Sequence, residues 1–219
     1  MAFLDRRQAG AALAKRLEHY MHDGRVVVLA LPRGGVPVAY EVAMRLRVPL
    51  DILIVRKLGM PGHPEYAMGA IASGGIRIIN PETRTLGVPE AVIDAVAIKE
   101  QIELERRERA YRGDRAGTRL EDRIVIVVDD GLATGASMRA AVAAVRSRQP
   151  RRVVVAVPVG SPDTCATLEQ EADEVVCATT PEPFRAVGLW YQDFAQTTDE
   201  EVKELLDNAF RSDLSTAER

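Results

Sequence analysis

The chain has 219 residues, of which 47% are hydrophobic and 28% charged, with a formal net charge of -3 and a pI near 5.7. This composition is typical of a soluble globular domain, and it argues against disorder and against a dominant nucleic-acid surface. No apolar run approaches the roughly 20 residues that cross a bilayer, and the first ten residues lack the apolar core of a secretory signal. We therefore expect a single domain over residues 1–219, located in the cytoplasm, with no membrane and no nucleic-acid partner.

The chain contains two cysteines, Cys165 and Cys177. Their spacing is not that of a zinc site, which needs paired ligands at short intervals. Because thiols of cytoplasmic proteins are kept reduced, we expect two buried and unlinked cysteines without a catalytic role.

Apolar strands and helices alternate along the chain. Asp5 and Gln8 have the spacing of an N-terminal capping box for an opening helix, whose apolar positions are Ala9, Leu13 and Leu17. Later segments with the apolar runs of buried strands are "RVVVLALPRGG", "LDILIVRKL", "IVIVVDD", "RRVVVAVPV" and "EVVCATT". Helical patterns separate most of them, and this alternation predicts an α/β fold with a doubly wound, mainly parallel sheet flanked by helices.

Two segments have less regular patterns. Residues 58–76 are rich in glycine and proline, and they are predicted to form a mobile loop that returns through short strands, for which a lid is one use. A long helix is predicted to start near Pro89, and its many charges indicate a solvated face. The sparse apolar face of this helix is predicted to consist of Val92, Val96, Ile102 and Leu104.

The strand at residues 124–128 runs directly into two adjacent acids, Asp129 and Asp130. Neighbouring carboxylates repel, so a metal, a cationic side chain or vicinal hydroxyls must compensate them. Residues 133–137 then combine small side chains with hydroxyls at a helix N-terminus, which is the composition of a phosphate cradle. No lysine follows Gly135, so the segment is not a Walker-type nucleotide loop. An acid pair beside a phosphate cradle fits a ribose 5-phosphate.

The segment Val125–Ser137 resembles the fingerprint of type I phosphoribosyltransferases, and "VVDDGLATGAS" is most similar to the adenine- and orotate-type members. The resemblance implies a small hood, formed mainly by residues 160–195 with an N-terminal contribution. It implies Mg2+-dependent transfer of ribose 5-phosphate from phosphoribosyl pyrophosphate to a nitrogenous base, with release of pyrophosphate. The ribose 5-phosphate would be bound by Asp129, Asp130, Ala133, Thr134, Gly135, Ala136 and Ser137. The diphosphate would bring Mg2+, and a direct contact of the metal with Asp129 or Asp130 is possible.

Two further segments match parts of the family's site. Arg33, Gly34 and Gly35 follow the first core strand, where the family carries its pyrophosphate loop, and they suit a diphosphate; a tight turn with a solvent-exposed arginine is the alternative. Arg56 and Lys57 end the second strand and resemble the basic pair near the leaving group. Adjacent strand residues face opposite sides, so we select Lys57 for the pyrophosphate, with a structural ion pair as the alternative. The predicted catalytic residues are therefore Asp129, Asp130, Arg33 and Lys57.

An aromatic cluster lies within the predicted hood. Phe184, Trp190, Tyr191 and Phe194 fall close together, and they either stack on the base or pack a small satellite core. The first three are the candidate base-binding residues.

The chain departs from the family pattern at two places. Hypoxanthine-type members carry an acid at the position of Ala133, and orotate-type members carry a loop lysine, whereas no lysine lies between Lys57 and Lys99. His63 and Glu65 are the titratable alternatives within the loop. These departures keep open a non-catalytic sensor of phosphoribosyl pyrophosphate or of a nucleotide, and also a hydrolase or phosphorolytic enzyme with the same ribose site. A homodimer is a possible assembly.

Overall fold

A five-stranded parallel sheet forms the centre of the computed structural model, which describes residues 3–217 apart from the side chains of residues 64, 65 and 214–217. In spatial order its strands are β2 (Leu50–Ile52), β1 (Val26–Ala30), β6 (Ile124–Val128), β7 (Arg152–Val159) and β8 (Glu174–Thr179). All neighbouring strands are parallel. The predicted doubly wound parallel sheet is confirmed.

Helices cover both faces of this sheet because each central strand is apolar on both sides. In β1, Val26, Val28 and Ala30 join the hydrophobic cluster on one face, while Val27 and Leu29 join the cluster on the other. The first cluster includes residues of α1 (Arg6–Arg16), α2 (Gly35–Leu46), α4 (Glu90–Arg112) and α7 (Asp199–Ala217), and the second includes residues of α5 (Ala136–Arg146) and α6 (Pro162–Leu168). The short helix α3 (Pro81–Thr85) precedes α4.

A separate antiparallel sheet contains β3 (Val55–Met60), β4 (His63–Ala72) and β5 (Ile76–Ile79). The segment "LDILIVRKL", predicted as one strand, is therefore divided between two sheets. The reason is the length of the neighbouring strand: Ile52 is in register with Ala30, where β1 ends. Beyond this point the chain has no parallel partner and pairs with β4. Much of the predicted glycine-rich loop is thus regular β-structure.

The helix α1 begins where the sequence predicts. The Gln8 N–H donates to Asp5 Oδ1 at 2.8 Å, which confirms Asp5 as the N-cap. Gln8 Oε1 accepts a hydrogen bond from the Leu4 N–H at 2.6 Å, one residue before the cap. The cap fixes the first turn of α1, which carries Arg6 toward the carboxyl end of the sheet.

The apolar face predicted for α4 is partly wrong. Ile93, Ala97, Leu104 and Tyr111 are buried, whereas Ile102 is 65% exposed. Ile102 and Leu104 are two residues apart, which places them about 200° apart around a helix, so they cannot both face the core. Neither α4 nor any other helix described between residues 3 and 217 is long and apolar enough to cross a membrane.

Cys165 of α6 and Cys177 of β8 form a disulfide, with their Cα atoms 7.0 Å apart. The expectation of unlinked thiols is therefore wrong. The two cysteines are 12 residues apart in sequence, and only the packing of α6 against β8 brings their side chains together. The bond links the helix that supports the loop after β6 to the edge strand of the sheet.

Candidate functional site

The predicted functional residues are concentrated at the carboxyl ends of the two neighbouring strands β1 and β6. From β1 the chain continues to β2 on one side, and from β6 it continues to β7 on the other side. Such a divergence opens a crevice at the carboxyl edge of a parallel sheet, where ligands of open α/β proteins bind. The loop after β1, residues 31–35, and the loop after β6, residues 129–137, meet at this crevice.

Two glycines allow these loops to approach each other. A Cβ atom on Gly34 would lie 2.0 Å from Asp130 Oδ2, and one on Gly35 would lie 2.8 Å from the Val128 carbonyl oxygen. The Leu31 N–H also donates to the Val128 carbonyl oxygen, at 2.9 Å. The structure thus brings the segment "LPRGG" and the acid pair into direct contact, although they are nearly a hundred residues apart in sequence.

The acid pair is mostly buried and is compensated by a cationic side chain. Asp129 Oδ1 accepts a hydrogen bond from the Asp130 N–H at 2.9 Å, and Asp130 Oδ2 accepts one from Arg6 Nε at 2.8 Å. Burial and the Asp130 charge raise the pKa of Asp129 well above its usual range. Burial also raises the pKa of Asp130, while the Arg6 guanidinium acts in the opposite direction.

Arg6 was missed by the sequence interpretation. Its side chain is only 12% exposed, its Nη1 donates to the Ala195 carbonyl oxygen at 2.7 Å, and its guanidinium lies 4.0 Å from the centre of the Phe194 ring. No motif marks this residue, because its partners lie more than a hundred positions away. The N-cap at Asp5 is the one signal in the sequence that bears on Arg6. It places Arg6 in the first turn of α1, but it does not reveal that Arg6 contacts Asp130.

The loop after β6 presents unpaired backbone donors. No N–H group of residues 133–138 donates to an acceptor within the described part of the chain. Gly135 has φ +71°, and a Cβ there would lie 2.6 Å from Thr164 Cγ2. Thr164 Oγ1 donates to the Ala133 carbonyl oxygen at 2.6 Å and so supports the loop from α6. Ala133, Thr134 and Ser137 are exposed. A run of free N–H groups at the positive end of α5 can bind an anion.

The loop after β1 offers fewer donors than predicted. The Gly35 N–H donates to the Leu31 carbonyl oxygen at 3.1 Å, whereas the Gly34 N–H has no acceptor within residues 3–217. Arg33 follows a cis peptide bond to Pro32. Its Nη1 lies 3.5 Å from Asp199 Oδ1 at the start of α7, a partner that the sequence did not reveal. Arg33 and the Gly34 N–H are therefore the groups available to an anion.

The basic pair of β3 is divided between two environments. Arg56 Nε donates to Glu100 Oε2 of α4 at 2.8 Å, so it is Arg56 that forms a structural ion pair. Such a pair was the alternative considered for Lys57. Lys57 is exposed, and its ammonium forms no ion pair with a described residue. His63 is exposed at the start of β4. The side chain of Glu65 lies outside the described residues.

The aromatic segment packs against α1. Tyr191 is buried in a cluster with Ala9 and Val159, against which Phe184 and Trp190 pack. Its hydroxyl donates to the Asp130 carbonyl oxygen, and burial, followed by the Asp130 charge, raises the pKa of Tyr191 far above its usual value. The phenol therefore stays protonated and supports the acid loop. Trp190 Nε1 is buried without a hydrogen-bond partner among the described residues.

A cavity of about 620 Å³ opens elsewhere, near the end of α4. Most of its charged groups are already paired: Arg112 binds Asp51 at 3.0 Å and Glu108 at 3.2 Å, and Arg119 binds Glu121. The crevice at the acid pair is a better ligand site, because the N–H groups of residues 133–138 have no acceptor within the described part of the chain and each carboxylate keeps one oxygen without a hydrogen bond from a described residue.

Comparisons with known proteins identify the family of this chain. The family model described as the phosphoribosyl transferase domain matches residues 3–191. Proteins from two strains of Mycobacterium tuberculosis, both named "Putative phosphoribosyl transferase", are 49% identical over 210 residues, which is 95% of this chain and 47% of theirs. The chain thus spans about half the length of these curated relatives. A crystal structure of a Thermus thermophilus protein is 46% identical, with a TM-score of 0.85 over 94% of this chain and 98% of its own. The chain therefore belongs to the type I phosphoribosyltransferase family.

Proposed function

We propose that the protein transfers ribose 5-phosphate from phosphoribosyl pyrophosphate to a nitrogenous base and releases pyrophosphate. The observation that carries this proposal is the convergence of the acid pair, the free N–H groups of residues 133–138 and the loop of residues 31–35 at one crevice. In this order, the three groups match the ribose hydroxyls, the 5-phosphate and the diphosphate of phosphoribosyl pyrophosphate. The substrate class follows from the chemistry of the donors and acceptors.

Each group has a distinct proposed role. Asp129 and Asp130 accept hydrogen bonds from the ribose hydroxyls, and the backbone of residues 133–137 binds the 5-phosphate. Arg33 and the Gly34 N–H bind the diphosphate, while Gly35 allows the loop to reach the sheet. Lys57 is retained as a second cation for the leaving group.

The donor set also fits Mg2+. This ion prefers oxygen ligands, keeps several waters and is often delivered with a substrate phosphate, so it needs few protein ligands. Asp129 and Asp130 each have one carboxylate oxygen that no described residue contacts through a hydrogen bond. Each of these oxygens has two lone-pair sites, so beside a ribose hydroxyl it would also hold the ion or one of its waters. The ion would supply charge neutralisation for the leaving diphosphate.

The reaction breaks the bond from the sugar carbon to pyrophosphate and forms a bond from that carbon to the base nitrogen. Positive charge grows on the ribose while negative charge grows on the leaving group. The protein's contribution is to hold both parts in place with preorganised groups and to exclude water. Arg33 would stabilise the departing diphosphate, and the acid pair would hold the sugar beside the incoming base.

The base would bind under the hood of residues 160–195, beside its aromatic segment, residues 184–194. We place it beside Phe184 and Trp190, whose rings are only partly buried. Tyr191 is fully engaged in the hood core, so its proposed part is to hold Asp130 rather than to stack on the base.

The test is release of pyrophosphate from phosphoribosyl pyrophosphate and Mg2+ in the presence of a panel of purine and pyrimidine bases. We expect release that depends on one base or one class of bases. Release without any base would instead support the hydrolase alternative. Absence of release with every base, combined with ligand binding, would support the sensor.

The sensor alternative rests on a specific observation. Ala133 lies in the cradle loop with an exposed side chain, at the position where hypoxanthine-type members carry an acid. No proton acceptor for the base is thus supplied at this position. Binding of phosphoribosyl pyrophosphate without turnover is the behaviour that this alternative predicts.

The hairpin of β3 and β4 is the proposed lid. Its turn contains Gly62 with φ +81°, and the pairing shifts register around Gly59. We expect the amides of residues 60–66 to exchange more slowly with solvent when phosphoribosyl pyrophosphate and Mg2+ are bound. Hydrogen exchange measures this directly, with the amides of the central strand β7 as the internal control. Equal exchange rates with and without saturating ligand would contradict a lid.

A further inference from the structure

Arg6 connects the acid pair to the hood. It belongs to the first turn of α1, and its guanidinium spans from Asp130 Oδ2 at 2.8 Å to the Ala195 carbonyl oxygen at 2.7 Å. One face of the guanidinium lies on the Phe194 ring. A buried arginine with contacts on each side holds one position, because few of its rotamers satisfy all of these partners.

These contacts determine which carboxylate oxygens face a ligand. The Asp130 N–H occupies Asp129 Oδ1, and Arg6 occupies Asp130 Oδ2. Gly34 and Gly35 lie against the same two occupied oxygens, since a Cβ on either would come within 3.2 Å of one of them. Asp129 Oδ2 and Asp130 Oδ1 are therefore available to a ligand, and each can accept a hydrogen bond from one of two vicinal hydroxyls.

We propose that Arg6 is a positioning residue for the phosphoribosyl site, which holds the Asp130 side chain turned so that its second oxygen meets a ribose hydroxyl. The inference rests on the proposed function. It adds to the site a residue that lies outside the fingerprint. It also makes the geometry of the acid pair depend on the positions of α1 and of residues 194–195.

The geometry isolates the effect of Arg6 on the Asp130 side chain. Within residues 3–217, Arg6 is the one side chain that donates to the Asp130 carboxylate. The Asp130 carbonyl oxygen is held separately by the Tyr191 hydroxyl. Loss of Arg6 should therefore free the carboxylate to rotate, so that its second oxygen no longer points in a fixed direction and the affinity for the sugar falls.

The experiment measures the dissociation constant of phosphoribosyl pyrophosphate with Mg2+ by calorimetry at neutral pH, together with the melting temperature of each protein without ligand. Arg6→Gln should bind about tenfold or more weakly than wild type, as expected for a lost charged hydrogen bond. Arg7→Gln is the matched control, because Arg7 is the next residue of α1, carries the same charge and is exposed. It should retain the wild-type affinity.

Arg6→Lys tests the same idea if Arg6→Gln does not fold. It keeps the charge but loses the simultaneous donation to Asp130 and to the Ala195 carbonyl oxygen, so its loss of affinity should be smaller, only a few-fold. Wild-type affinity in the folded Arg6 variants would overturn the inference alone. Tighter binding by either variant would also overturn it, since Arg6 would then compete with the ligand. No binding by wild type would instead refute the proposed function.

Discussion

Asp129→Asn should remove most of the thermal stabilisation that phosphoribosyl pyrophosphate and Mg2+ give to the protein, while making the unliganded protein more stable at neutral pH. In wild type, ligand at about a hundredfold excess over its dissociation constant contributes about 2.7 kcal/mol. For a chain of this length that corresponds to a melting shift of about 5 to 10 °C. A lost charged hydrogen bond costs about 1.5 to 3 kcal/mol, so the shift should largely disappear.

The stability gain of the unliganded variant follows from the pKa of Asp129, which burial and the neighbouring Asp130 raise in the folded state. The folded protein therefore binds this proton more tightly than the unfolded chain does. Its stability falls as the pH rises above the ordinary Asp value near 3.8, until the folded pKa is passed. Asparagine removes this cost and still offers Oδ1 to the Asp130 N–H. The gain should be a few degrees at pH 7 and should vanish near pH 4.

Thermal melting with and without ligand, at pH 4 and pH 7, checks both parts of this prediction. Asp114→Asn is the control, because Asp114 is exposed in the turn after α4, and it should change neither property. Asp130→Asn is not equivalent, since it leaves the buried Arg6 without its counter-ion and should lower stability. An Asp129→Asn protein that melts well below wild type at pH 7 would mean that this carboxylate serves the fold.

Gly34→Ala should weaken ligand binding by at least about tenfold through one added methyl group. Gly34 has φ -60° and ψ -32°, which alanine adopts without strain, so the effect comes from contact alone. The new Cβ would lie 2.0 Å from Asp130 Oδ2 and 3.3 Å from Arg6 Nε. The carboxylate must turn away, and overpacking of this kind costs about 1 to 3 kcal/mol of stability.

Gly24→Ala is the matched control for this substitution. A Cβ at Gly24 would meet no atom within 4 Å, so both stability and ligand binding should stay close to those of wild type. Calorimetric titration with phosphoribosyl pyrophosphate and Mg2+, together with melting curves, measures the two quantities. Wild-type affinity in Gly34→Ala would show that the loop after β1 does not set the position of Asp130.

Local patterns in the sequence were sufficient for the central sheet and for the fingerprint that identifies the family. β6 is apolar at all five positions, which is typical of a parallel strand covered on both faces. The acids that follow it, and the small residues after them, carry their chemistry in consecutive positions. Such a motif can be recognised in a sequence because its residues are consecutive and therefore lie close together in any fold.

Only the tertiary structure decided how the acid pair is compensated. The sequence left three choices, and the structure shows a cationic side chain, Arg6, 124 residues away from Asp130. Asp199 beside Arg33 and Thr164 beneath the cradle are likewise distant partners. Contacts of this kind depend on how α1, α6 and α7 pack, and no local periodicity encodes them.

The same limit explains the errors in the predicted elements. One apolar run became β2 and β3 because β1 is too short to pair with all of it, and strand propensity does not reveal the length of a neighbour. The two cysteines were expected to remain free, yet α6 lies against β8 and joins them. Consecutive residues determined the strands and the phosphoribosyl fingerprint, whereas packing between distant segments determined the partners, the register and the charge balance of the site, because these depend on which surfaces meet after folding.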